Sequence, residues 1–96
     1  MKKQREVMVN SRLQPISPEQ LRAARGWLSW TQDELAERSG VSKRTIAAYE
    51  TNNTSSAHER TLVTLRTTLE EAGVEFQFEE TTPMGIRVRP HRRNEG

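Results

Sequence analysis

The chain has 96 residues, only 32% of them hydrophobic, which points to one small domain with a thin, helix-based core that dimerisation would help. It has no cysteine, so disulfides, thiolate chemistry and most structural zinc sites are excluded. The formal charge of +2 is a weak argument for a nucleic-acid partner, and no apolar run reaches the roughly 18 residues of a membrane span or follows the basic start as in a signal peptide. A soluble, cytoplasmic protein is expected, and any basic face must be local: residues 1–16 carry four basic groups and one acidic, whereas residues 17–50 carry five of each.

The opening MKKQREVMVNSRLQPI has little periodicity and ends near Pro15 and Pro18, so residues 1–16 read as a flexible arm, either solvated or touching a phosphate or partner. Ser17-Pro18-Glu19-Gln20 is a helix start with a serine cap, proline at the first helical position and a capping-box glutamine. The first helix runs to about Leu28, burying Leu21, Ala24 and Leu28, with Gly26 expected to permit close approach of a neighbouring element. Trp27 and Trp30 could stack on a cofactor or base, but packing over the corner between the first two helices suits them better.

Thr31 and Glu34 repeat the capping box, and the second helix ends at Ser39 because Gly40 supplies a left-handed residue. Gly40-Val41 is too short a link for antiparallel packing, so a third helix capped by Ser42 must leave at a steep angle, which makes a helix-turn-helix. Ile46 and Tyr49 lie on one face of that helix, with Lys43, Arg44, Ala47 and Ala48 on the other. After the polar loop TNNTSS, Ser56 and Glu59 have capping-box spacing, and a fourth helix follows to about Ala72 with Leu62, Leu65, Leu69 and Ala72 as its buried row. The period then changes to two. Val74, Phe76 and Phe78, then Met84, Ile86 and Val88, describe two strands of a hairpin closed by EETTP, with carboxylates on one strand facing arginines on the other. Such a hairpin must pack on the fourth helix or on a second subunit, and its open edge suits strand pairing between chains. The remainder from Pro90 reads as a polar tail.

Side chains at the start of a helix lying in the major groove reach base edges, so Lys43 and Arg44 are natural readers of guanine O6 and N7. Ala47 and Ala48 can offer only apolar contacts, with a thymine methyl as the partner of Ala48. Gln32 begins the second helix, where free amides and the positive dipole end favour a phosphate, whereas Asp33 and Glu34 are expected to point away from DNA. Ser42, Thr45, Asn52, Asn53 and Thr54 are further candidates for the phosphate backbone, Thr45 alternatively for the core side. Glu50 opposes the dipole at a helix C-terminus and calls for a nearby cation, for which Arg25 is the candidate in a structural salt bridge.

Taken together, Gln32 to Glu50, preceded by LRAARGWLSWT and followed by another helix, resembles the phage-repressor and Cro class of helix-turn-helix, the Xre family. The likeness covers Ser17 to Gly73, with Ala36, Gly40, Ile46 and Tyr49 at the family's spacing. It implies a mostly α, lambda-repressor-like bundle of about four helices over residues 17–73; the β-hairpin over residues 74–90, a candidate dimerisation element, and the tail over residues 91–96 lie outside that common core. It also implies a phosphate contact by Gln32, a base contact at Ala48 and the pairing of Arg25 with Glu50, in a bacterial or phage-encoded regulator that binds double-stranded DNA. The hairpin resembles an appendage of some bacterial regulators.

An enzyme lacks parts: His58 and His91 are the only histidines, neither sits in a metal-spaced cluster, and the carboxylates fall where helix caps and solvated faces want them, so no metal and no cofactor are expected. An antitoxin or other protein-interaction module with a small protein partner is the rival reading, a bridging coactivator a weaker one. The expectation is a homodimeric transcriptional repressor reading an inverted-repeat operator.

Overall fold

The computed structural model of the chain describes residues 14–53, 57–80 and 82–88. Four helices are followed by an antiparallel hairpin: α1 (Pro18–Leu28), α2 (Gln32–Ser39), α3 (Lys43–Glu50), α4 (Glu59–Glu71), β1 (Val74–Glu79) and β2 (Thr82–Val88). No helix among the described residues is long and apolar enough to cross a membrane. Residues 1–13 of the arm predicted over 1–16 and the tail over 91–96 lie outside the described residues, as do Thr54, Ser56 and His91.

Local chemistry sets the first three helices. Ser17 and Gln20, and likewise Thr31 and Glu34, form reciprocal capping boxes, each satisfying two backbone amides that a helix start leaves without partners. The Ser42 hydroxyl accepts from the Thr45 amide and starts α3. Between α2 and α3, Gly40 sits at φ 81°, where a side chain would be strained, and donates its amide to the Ala36 carbonyl at 2.8 Å.

The core gathers one stripe from each helix: Leu21 and Ala24 from α1, Leu35 from α2, Ile46 and Tyr49 from α3, and Leu62, Leu65 and Leu69 from α4. Val74 and Phe76 of β1 complete it, so the hairpin packs on α4 and α1 as part of the same body. The two tryptophans and Leu28 lie half-buried against this cluster.

Several expectations are corrected. Ile16, assigned from sequence to the arm, is fully buried, because its apolar side chain enters the core while its carbonyl accepts from the Tyr49 hydroxyl at 2.6 Å. The predicted cap at Ser56 does not start α4. His58 is the N-cap, without a side-chain bond, and Ala57 before it is partly buried against the core. Gly26 is exposed, and a Cβ there would meet nothing within 4 Å, so it serves no close approach.

The hairpin pairs Val74 with Val88, Glu75 with Arg87, Phe76 with Ile86 and Gln77 with Gly85. Beyond Gln77 the register shifts, and Phe78 faces Pro83. Met84 is the extra residue of a bulge and stands 57% exposed, whereas Ile86 and Val88 turn toward the core as alternation requires. The anticipated cross-strand charge pairing reduces, among the described residues, to Glu75 with Arg87 at 3.8 Å in water-exposed surroundings, where such a pair contributes little. Gln20 is buried beside the bulge, and its side-chain amide donates to the carbonyls of Gln77 at 2.9 Å and Gly85 at 2.8 Å. A residue read from sequence only as a helix cap therefore also joins α1 to both strands.

The Tyr49 hydroxyl bond holds the chain entering α1 against α3. Replacing Tyr49 by Phe removes the donor but leaves the shape, so urea denaturation should show a loss of about 1 to 2 kcal/mol from the buried carbonyl left without a partner. An unchanged midpoint would mean that this carbonyl finds another donor.

Candidate nucleic-acid interface

At the centre of the three-helix arrangement is the carboxylate of Glu50, the last residue of α3, which is 5% exposed. Arg25 reaches it from α1 with two parallel bonds, Nε to Oε2 at 2.8 Å and Nη2 to Oε1 at 2.9 Å. The remaining Arg25 nitrogen, Nη1, donates to the Trp30 carbonyl at 2.8 Å. Gln32, the first residue of α2, donates its side-chain amide to Glu50 Oε1 at 3.0 Å. Arg22, one turn before Arg25 on α1, donates to the backbone carbonyl of Glu50.

A buried carboxylate at the negative end of a helix is tolerable only with such partners. Burial pushes the Glu50 pKa up, but the hydrogen bonds from Arg25 and Gln32 and the charges of Arg25 and Arg22 outweigh it and hold the group below its ordinary value. The Arg25 guanidinium shifts upward, first through its hydrogen bond to Glu50 and against its own burial. Arg38 adds a further tie at the same corner, stacking over the Trp30 ring at 4.3 Å from the centroid.

With its Ile46, Tyr49 and Glu50 face turned inward, α3 presents Lys43 and Arg44 to solvent, with Ala47 and Ala48 half-buried on the same side. Arg44 enters no ion pair among the described residues. Lys43 does: its Nζ lies 3.4 Å from Asp33 Oδ1 and 3.5 Å from Oδ2. Asp33, which the sequence placed only at the positive end of its own helix and away from DNA, thus also reaches the first residue of α3. The first turn of α2 crosses beside α3, so Gln32 meets its C-terminal residue while Asp33 meets its N-terminal one.

The remaining candidates divide by how much of their hydrogen-bonding capacity is already used. Ser42 Oγ accepts from the Thr45 amide at 3.1 Å and donates to Thr45 Oγ1 at 3.0 Å, leaving the Thr45 hydroxyl proton for an outside acceptor. Gln32 keeps one of its two amide protons after serving Glu50. Asn52 takes a left-handed φ of 71° directly after α3, and both Asn52 and Asn53 are exposed at that end of the helix. Their backbone amides donate to the Tyr49 and Ala48 carbonyls at 2.9 and 3.0 Å.

Sequence reasoning brought Arg25 and Glu50 together but missed Arg22, although its three-residue spacing from Arg25 puts both on one side of α1. It also missed the bond from Gln32 to Glu50 and the pair of Asp33 with Lys43, which no spacing rule within a single helix contains.

The Helix-turn-helix family matches residues 21–71, a span that begins inside α1 and ends with α4. No curated protein matches the chain.

Because the folded-state pKa of Glu50 is lowered, its contribution is fully present above the unfolded value near 4.5 and is lost as pH falls through the lower folded value. Glu50→Gln should therefore melt well below the parent at neutral pH, by an equivalent of about 2 to 3 kcal/mol. The gap should narrow in acid, where the parent carboxylate is protonated too. Thermal melts of both proteins across pH provide the measurement; a gap of constant size would exclude the ionised form of the Glu50 carboxylate as its source.

Proposed function

From membership of the Xre/Cro-like helix-turn-helix family, whose domains bind DNA, we propose that this regulator reads a specific operator as a homodimer and represses transcription by blocking promoter access. The observation that carries the proposal is the outward face of α3, where Lys43 and Arg44 stand exposed at the helix start while Glu50 fixes the helix end to α1 and α2.

In the major groove, Lys43 and Arg44 give hydrogen bonds to guanine, and Ala47 and Ala48 lie against a thymine methyl. Gln32 gives its remaining amide proton to a phosphate, and Ser42, Thr45, Asn52 and Asn53 line the backbone on either side. Division of labour follows: the α3 face specifies, and the flanking polar groups set register.

Residues 17–73 are the reading domain in this proposal, and the hairpin over 74–90 supplies the contact between two copies. The exposed Met84 at the bulge and the outer edge of the two-stranded sheet support that role. Two copies related by a twofold axis place their α3 helices about 34 to 36 Å apart, so the operator is an approximate inverted repeat with half-sites one turn apart.

Selection from random duplexes with purified protein tests this directly, since the recovered sites report both code and symmetry. Arg44→Ala should fold normally and relax preference at one base pair by about 1 to 3 kcal/mol of discrimination. Gln32→Ala should weaken binding evenly across sequences, together with a small loss of stability from the missing Glu50 bond. Recovered sites without any preferred sequence, or identical selections by parent and Arg44→Ala, would overturn the proposal.

A further inference from the structure

We infer that Asp33 is a specificity-positioning residue: it tethers the Lys43 ammonium at the groove-facing start of α3 and withholds it from indiscriminate phosphate contact. The inference rests on the proposed docking of α3 and concerns a residue that the docking itself does not require.

Lys43 occupies the first position of α3, where the helix dipole is positive and a cation is disfavoured. Asp33 occupies the second position of α2, where that helix's own positive end favours a carboxylate. The carboxylate thus suits the start of its own helix and answers the cation at the start of α3, with Nζ at 3.4 Å. The side chains are 56% and 73% exposed, so the pair is an open one that a competing anion can break.

What an approaching duplex offers decides whether it breaks. A phosphate lying away from α3 can take the ammonium only by drawing it off Asp33, which leaves a bare carboxylate in the field of the DNA backbone. A guanine edge beneath the helix start makes no such demand. An ammonium has three protons, enough to keep Asp33 while giving one each to O6 and N7. Asp33 therefore opposes the sequence-independent complex, which lives on phosphate contacts, much more than the complex on the correct site.

The test uses the full chain, a duplex recovered by selection, a scrambled duplex, and the variants Asp33→Asn, Lys43→Gln and their combination. Circular dichroism and melting confirm that each variant is folded. Asp33→Asn should tighten binding to the scrambled duplex by about three- to fivefold and steepen its salt dependence. Affinity for the selected duplex should change by less than about twofold, so the ratio between the two falls. In the Lys43→Gln background, Asp33→Asn should give no such gain.

An equal gain with and without Lys43 would reduce Asp33 to a plain repulsive charge and overturn the inference, as would equal gains on both duplexes, or no gain. In each of those cases the parent still distinguishes the selected duplex from the scrambled one, so the groove-reading proposal survives. A parent that binds both duplexes alike would remove the proposal and this inference together.

Discussion

The arrangement of the three N-terminal helices depends on one buried carboxylate. Glu50 ends α3 and receives two bonds from Arg25 of α1 and one from Gln32 of α2, while its backbone carbonyl accepts from Arg22. Removing a carboxylate from water is costly, and the cost is offset only when both its oxygens are hydrogen-bonded at good geometry, as they are here. A carboxylate that needs partners from two other helices is satisfied in one relative orientation of all three. The exposed side of α3 is fixed in the same stroke, because the inward side is committed to Glu50, Ile46 and Tyr49. A surface proposed to read base edges is useful only if it is rigid with respect to the groups that set its register, and the bond from Gln32 to Glu50 ties the start of α2 to the end of α3.

The hairpin extends the body beyond the helix-turn-helix. Val74 and Phe76 enter the helical core, Gln20 bridges both strands through their carbonyls, and Arg66 lies over the Phe76 and Phe78 rings while donating to the Gln14 carbonyl. A chain of this length has little apolar surface to bury, so recruiting two strands and Ile16 enlarges the core without adding a helix. The bulge at Met84 has two consequences. It turns that side chain to solvent, and it brings the Gln77 and Gly85 carbonyls within reach of the Gln20 amide.

Charge on this molecule acts locally. A net +2 gives little long-range attraction to a polyanion, and Asp33 of α2 stands beside Lys43 at the face that Lys43 and Arg44 open. In the proposed docking, a surface of that kind has little general attraction for phosphate, and its affinity comes from hydrogen bonds that are geometrically met. Restraint of bulk electrostatics favours discrimination, because sequence-independent affinity is the background against which any specific site competes.

Interactions reaching no further than four residues were legible in the sequence. The caps at Ser17, Thr31 and Ser42, the stop at Gly40, the helical stripes and the change of period at Val74 each arise between near neighbours along the chain, and so they determined the elements and the helix-turn-helix. The Ser56 cap had the same local spacing, yet α4 starts after His58, a position that no side-chain cap marks. The burial of Ile16, the second task of Gln20, the bond from Gln32 to Glu50 and the approach of Asp33 to Lys43 join residues between 10 and 65 positions apart. Helix periodicity says which side of a helix faces inward but not which neighbour stands beside its outward edge, and only the packing of α2 across α3 decided that.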